Sequence, residues 1–389
     1  MAVTEAASYP STEALLEEAR IATGLQDFGD PFFQIGLTHL LDSLTHDARL
    51  PEAGRYAALA TIRRRLANRL KIEDWYKAHP EAERLDVAGP VVVNGLPRTG
   101  STALGNMLSL DPQFRSLRGW EQEEPVPPPV LGEEAHDPRR MRAEAEIDRL
   151  YREDPGLVAQ HIHEVDASTE DTEVLGLQFG AQQLTLPVWS YFDWWRDADL
   201  RPVFAYHRRV VQLLQSRRPP NLWLFKAPHH KFHLDALVAA YPDARFIMTH
   251  RDPAQVVPSY ISFVSSIWPA GAGARHDPVM MGERLERHLR IGMERAIAAR
   301  DRIGDDRFID VHHHDLNQDP LGTLDRIYRF LGLDLTSTMR DAVSHWLATH
   351  RSGAHGEHRY TPEQYGLTAA GIREDFDFYI KRFGVKTGD

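Results

Sequence analysis

The stretch from Pro90 to Leu110, PVVVNGLPRTGSTALGNMLSL, constrains the fold of this chain more than any other. Val91, Val92 and Val93 are three β-branched residues in an uninterrupted apolar run, as expected of a short strand buried on both faces of a parallel sheet. Gly95, Pro97 and Gly100 punctuate the loop that follows. From Ser101 onward Leu104, Met107 and Leu108 recur at helical spacing, with Ala103 as a good helix former. Strand, glycine loop and helix in that order leave several backbone N–H groups aimed at one spot, and the helix adds the positive end of its dipole there. The loop is built for an anion.

The spacing from Gly95 to Gly100 and Ser101-Thr102 is close to the nucleotide-binding pattern G-x-x-x-x-G-K-[ST], in which a lysine reaches the outer phosphates. Ser101 stands where that lysine would be, and the nearby cation is Arg98, so a nucleoside-triphosphatase would lose its contact to the β and γ phosphates. The run Pro97-Arg98-Thr99-Gly100-Ser101-Thr102 instead resembles the first motif of sulfotransferases that use 3′-phosphoadenosine 5′-phosphosulfate (PAPS). In that family the loop holds the 5′-phosphosulfate, and a Lys or Arg takes the position of Arg98. The resemblance implies an α/β, P-loop-like three-layer fold with a central parallel sheet flanked by helices. It also implies that the amides of Thr99, Gly100, Ser101 and Thr102, with the Ser101 and Thr102 hydroxyls, hold the 5′-phosphate.

Composition limits the other possibilities. With 45 Lys and Arg against 56 Asp and Glu the formal net charge is −11, too acidic for a general nucleic-acid or anionic-membrane binder, so any anion site is local. The chain has no cysteine, hence no disulfide framework, thiolate nucleophile or cysteine metal site. Its N-terminus lacks the basic and apolar regions of a signal peptide, and no run of about 18 apolar residues could span a membrane. A cytoplasmic protein without stable membrane insertion is expected.

Residues 1–88 read as an N-terminal helical cap. One helix is capped by Ser11 and stops near Gly24, a second covers about Pro31 to Leu44, and a third starts near Pro51. Arg63, Arg64, Arg65, Arg69 and Lys71 on the third read as a solvated face. Residues 89–389 form the main domain, with a helical insertion at about 137–219. After the first loop helix, Asp111-Pro112 and the later prolines read as a stiff extended segment carrying Glu121, Glu123 and Glu124 past the carboxyl ends of the strands, where ligands of open α/β sheets sit. A carboxylate there can accept the proton of an attacking hydroxyl. In PAPS-dependent enzymes resembling the tyrosylprotein and bacterial carbohydrate branches such a glutamate is the base, and Glu121 is the nearest match. The aromatic cluster before Trp195 reads as core ahead of an acceptor wall.

Leu222 to Phe225 is a second buried strand with Lys226 at its carboxyl end, poised to meet an anion. In the family a lysine here contacts the phosphosulfate, and a histidine two positions on is the base in the cytosolic small-molecule branch. This chain has Pro228 at that position with His229 and His230 after it, so His229 stands second to Glu121 as base. His229, His230 and His233 have no adjacent carboxylate to complete a metal ligand set, and no metal is expected. Arg245 to Thr249 is a third strand, after which Asp252 can cap a helix beginning at Pro253. Arg251 and Ser259, eight residues apart, resemble the second sulfotransferase motif, which binds the 3′-phosphate. Phe308 to His313 reads as a strand whose neighbouring histidines alternate between faces, against a metal role for His312, His313 and His314. The family closes its cofactor site with a late basic loop, for which His358, Arg359 and Tyr360 are the candidates.

The expected reaction is transfer of a sulfuryl group from PAPS to a hydroxyl or amine of a small, apolar or aromatic acceptor, leaving 3′,5′-adenosine bisphosphate. Arg98 and Lys226 would neutralise charge on the leaving phosphate. Self-association is left open. The rivals are an ATP-dependent small-molecule kinase and a scaffold of the same fold without activity.

Overall fold

A computed structural model describes residues 9–153, 164–181, 185–218, 222–268, 272, 276–350 and 361–388. The valine run forms β1 (Val91–Gly95), and the glycine loop leads into a helix, Ser101–Ser109. The sheet is completed by β2 (Phe114–Ser116), β3 (Leu222–Lys226), β4 (Arg245–His250) and β5 (Phe308–His312) in the order β2-β3-β1-β4-β5, every pair parallel. Alternation along β1 sends its side chains to two separate cores. Val91 and Val93 pack with Leu104, Leu108, Ile247 and Tyr328 on one face. Val92 joins Phe225, Phe246 and Met248 on the other, in an apolar cluster that runs on into the N-terminal helices. Helices therefore cover both faces, giving the three-layer α/β architecture expected.

The N-terminal block contains α1 (Thr12–Thr23), α2 (Phe33–His46) and α3 (Glu52–Ala78). Ser11 accepts a hydrogen bond from the Ala14 amide, and Gly24 closes α1 in the left-handed conformation that glycine adopts without steric cost. The arginines of α3 correct the sequence reading: Arg63 and Lys71 face solvent, but Arg65 and Arg69 are buried. Helices of the insertion cover what would otherwise be a second wet face. Arg65 pairs with Glu173 at 2.7 Å. Arg69 donates to the carbonyls of Phe28, Asp30 and Leu177 between the rings of Phe33 and Tyr206, which satisfies a guanidinium that water cannot reach.

Three further expectations are revised. The stiff segment after Pro112 contains edge strand β2, too short for a two-residue period to show, and a helix at Gly119–Glu123. The strand at Phe308 ends at His312 and a helix begins at His313, so strand alternation does not govern the three histidines. Glu121, expected as a base on an extended segment, lies fully buried in the helix Gly119–Glu123. Trp189, Tyr191, Phe192 and Trp195 are core, as expected.

Candidate active site

Parallel register brings the informative segments to one edge. Val93 lies beside Lys226 and Gly95 beside Thr249, so the glycine loop, the end of β3 and the end of β4 are neighbours at the carboxyl side of the sheet. Gly95 has φ 130° there, and a Cβ would stand 2.4 Å from the Thr249 carbonyl, so only glycine lets the loop leave between the two strands. Thr99 is buried and ties the loop down, its hydroxyl bonded to the Leu96 carbonyl at 2.7 Å and to the Thr249 hydroxyl at 2.6 Å. Gly100 enters the helix Ser101–Ser109 with no side-chain cap, and no acidic residue occupies the first turn. The amides of that turn are left for an anion.

The cations collect around this turn. Lys226 lays its stem across Gly105, where a Cβ would meet it at 3.1 Å, and its Nζ donates to Thr102 Oγ1 at 3.4 Å. Arg98, with a left-handed φ of 61°, donates from Nε to Ser259 Oγ at 3.3 Å and lies over the Phe263 ring. Arg251 Nη1 donates to the Arg98 carbonyl at 3.0 Å. Arg98, Lys226, Arg251 and Ser259, spread over more than 160 positions of sequence, are brought together at the loop and first turn by these contacts.

A cavity of about 260 Å³ opens beside Arg251, lined among others by Gln255, His312, His313, Asn317 and Lys386. Burial, reinforced by the Arg251 charge, pulls the His313 imidazole down to about 4. Asp252 caps the following helix by accepting from the Ala254 amide at 3.0 Å and pairs with Arg373 at 2.7 Å, the plain role the sequence suggested for it.

The two residues expected as base are both enclosed. Glu121 Oε2 meets Arg115 at 3.3 Å while its Oε1 accepts from the Arg118 amide at 3.1 Å. His229 is buried in the turn Pro228–Phe232 against Trp195 and His230, and burial followed by the His230 charge holds it well below the ordinary histidine range.

The carboxylate beside Lys226 is Glu170, whose Oε1 lies 3.6 Å from Nζ with the side chain 35% exposed. Gln122 fixes its backbone, donating to the Glu170 carbonyl at 3.0 Å and to the Thr169 hydroxyl at 2.6 Å. Within its own stretch, Ser168-Thr169-Glu170-Asp171, Glu170 reads only as a helix-initiating acid. Fifty-odd residues separate it from Lys226, and no local pattern marks the pairing. The carboxylate found wanting near the histidines is likewise supplied from a distance, by Asp171 against His207, His229 and His230. Arg359 and Tyr360 lie outside the described residues.

The chain is similar along its length to two solved mycobacterial structures. One is sulfotransferase STF9 from Mycobacterium avium, at 28% identity and TM-score 0.89, with 98% of this chain and 99% of that one covered. The other is STF1 from Mycobacterium tuberculosis, at 31% identity and TM-score 0.83, with 94% and 98% covered. It is 28% identical over 183 residues to the omega-hydroxy-beta-dihydromenaquinone-9 sulfotransferases Stf3 of Mycobacterium bovis and Mycobacterium tuberculosis. That match takes in 45% of this chain and 44% of each relative, less than half the length of either. Residues 90–337 match the sulfotransferase family profile, a span that opens just before β1 and takes in the glycine loop, Lys226, Arg251 and Ser259. By sequence, by fold and by the cations gathered over its glycine loop, the chain belongs to the sulfotransferase family.

Proposed function

We propose that the chain transfers the sulfuryl group of PAPS to a hydroxyl of an apolar small-molecule acceptor. The observation that carries this reading is the meeting of Arg98, Lys226, Arg251 and Ser259 around a helix N-terminus with no cap of its own. A doubly phosphorylated adenosine needs two anion sites, and two sets of groups here support that reading. The first is the amide turn with the Ser101 and Thr102 hydroxyls, Arg98 and Lys226, for the 5′-phosphosulfate. The second is Arg251 with Ser259, beside the 260 Å³ cavity, for the 3′-phosphate and its nucleoside. Arg359 and Tyr360 would close over the donor, as the family resemblance implies.

Glu170 takes the part of general base in place of Glu121 or His229, because a base has to reach solvent-delivered substrate and those two are enclosed. As the acceptor oxygen bonds to sulfur, its proton passes to the Glu170 carboxylate. The bond from sulfur to the bridging phosphate oxygen breaks, and that oxygen keeps the electron pair as 3′,5′-adenosine bisphosphate departs. Lys226 and Arg98 lower the barrier by stabilising the charge that grows on the bridging oxygen.

For the acceptor, the named substrate of the Stf3 relatives is a hydroxylated menaquinone, and this chain carries a groove suited to an apolar body. About 580 Å³ in volume, it is lined by Leu40, Ala57, Ile62, Leu186 and Ile267, with Arg65 and Glu173 among its polar residues. Glu173 is three residues on from Glu170, and Ile267 is one helical turn beyond the Phe263 that packs on Arg98. Both walls are thus tied through the chain to residues of the proposed reacting site.

Calorimetry of 3′,5′-adenosine bisphosphate against ATP, with and without magnesium, tests the donor. Tight magnesium-dependent ATP binding would replace this reading with the kinase. Transfer of radiolabelled sulfate from PAPS to phenols, steroids, sugars and long-chain alcohols tests the reaction. Donor binding with no transfer to any class would leave the scaffold. The expected outcome is transfer favouring the apolar alcohols.

A further inference from the structure

The turn Pro228–Phe232 and the start of the helix Thr172–Gly176 face each other across a cluster that the reaction does not use. Asp171, His229 and His230 are each at most 2% exposed, and one ligand-type atom from each lies within 4.8 Å of the others. The Asp171 carboxylate has His230 Nε2 at 2.8 Å and His229 Nε2 at 3.8 Å. His207 Nε2 stands 3.3 Å from the same oxygen that His230 approaches, Oδ2, and its ring is oriented by the Tyr241 hydroxyl on Nδ1 at 2.7 Å. Both oxygens of Asp171 and both ring nitrogens of His229 and of His230 are buried without a hydrogen bond of acceptable geometry. Buried polar atoms seldom stay unsatisfied, because each costs its full desolvation. Six such atoms lie in one spot, and although His230 Nε2 and Asp171 Oδ2 approach each other, a single ion could engage one atom of each residue.

We propose that Asp171, His229 and His230 bind a divalent transition-metal ion, with zinc the best match to the donor set, and that His207 is the outer partner that orients the carboxylate. Two imidazoles and a carboxylate are common zinc donors, and bonds of about 2.0–2.1 Å at tetrahedral angles put ligand atoms roughly 3.3 Å apart. The separations of 2.8 Å from His230 to Oδ2 and 3.8 Å from His229 to Oδ1 lie on either side of that value. Ligating carboxylates are themselves supported from an outer shell, the place that His207 takes 3.3 Å from Asp171 Oδ2. Three protein ligands leave the fourth tetrahedral position to a water, and the burial of all three keeps that position from substrate, so the ion would serve structure. Its effect would be a clamp. Asp171 follows Glu170 directly, and His229 comes three residues after Lys226, so the ion would tie together the two segments whose side chains meet at 3.6 Å. The proposal needs no part of the sulfuryl-transfer reading to hold.

The full chain, purified without a histidine tag, is analysed for bound metal by mass spectrometry; about one equivalent of zinc is expected. Dipicolinic acid should lower Tm by several degrees and added zinc should restore it. Cobalt exchanged into the chain should show the strong visible absorption of a four-coordinate site. In His229→Asn/His230→Gln the metal should be lost. Should that variant fail to fold, the metal content and cobalt spectrum of the unaltered chain decide alone. A metal-free chain whose Tm ignores added zinc, cobalt, nickel and manganese overturns the proposal, as does a folded double variant that retains its metal.

Discussion

Glu121 and Glu170 each face a cation near the carboxyl edge of the sheet, Arg115 at 3.3 Å and Lys226 at 3.6 Å, and the surroundings make the two pairs different things. Arg115 and Glu121 are sealed, with side chains 2% and 0% exposed. Both Glu121 oxygens are engaged, by Arg115 and by the Arg118 amide. Arg115 Nη2 donates a hydrogen bond to the Leu214 carbonyl over the Trp223 ring, while its Nε and Nη1 are buried without a hydrogen-bond partner. Burial pulls Arg115 down to about 10 even with Glu121 beside it. Lys226 and Glu170 have looser geometry, Glu170 is one third open, and the amide turn lies alongside. A saturated carboxylate holds structure; one with spare lone pairs and access can exchange a proton. Distance to a cation does not separate the two roles, whereas satisfaction and exposure do.

The largest expected effect is on the open side. Lys226→Ala should lower kcat by about 10³-fold or more, as removal of a preorganised charge from a developing oxyanion does, with little change in Tm. A drop confined to KM would make Lys226 a binding group only. On the sealed side, Glu121→Gln leaves a buried guanidinium without its counter-charge and should cost about 3 kcal/mol of stability by chemical denaturation. Its folded fraction should keep kcat within about threefold, because the base role proposed for Glu170 is general acid–base chemistry that Glu121 does not share. The reverse pattern, a stable but dead Glu121→Gln, would return the base to Glu121 and break the comparison.

Glu170→Gln sharpens it from the other end. kcat should fall about 10²- to 10³-fold, while Tm and the affinity for 3′,5′-adenosine bisphosphate stay near those of the unaltered chain. Arg251→Ala should weaken bisphosphate binding about 10- to 100-fold through loss of a charge-assisted contact, with a smaller change in kcat. The last difference is in acid. Burial, and after it the Arg295 charge, brings His233 down to about 3, against an ordinary value near 6.5. Above pH 6.5 its neutral form costs nothing. Between 6.5 and 3 the unfolded chain binds the proton that the fold refuses, so stability falls with pH, by about 2 kcal/mol at pH 5. Tm at pH 5 should therefore lie several degrees below that at pH 7, with a shallower slope in His233→Gln; equal slopes would mean that other groups carry the acid sensitivity.

Much of the frame was legible because it rests on local chemistry. Three consecutive β-branched residues, a glycine loop and a 3.6-residue period name a strand, an anion loop and a helix, and the cations Arg98, Lys226 and Arg251 each sit at the end of such a strand. β2 went unseen because three residues carry no period, and the burial of Arg65 and Arg69 because the insertion that covers them is more than a hundred residues away.

What the sequence determined by itself is therefore the parallel sheet and the anion-binding edge, since backbone geometry and short-range periodicity are written within about ten residues of each motif. Only the tertiary structure decided which carboxylate stands beside Lys226, and that Asp171 would meet His207, His229 and His230. Those pairings depend on how the insertion folds back over the end of β3. Two side chains fifty residues apart share no pattern that period or propensity can record, and whether a glutamate becomes a strut or a base is settled by the solvent and the hydrogen bonds that the completed fold leaves to it.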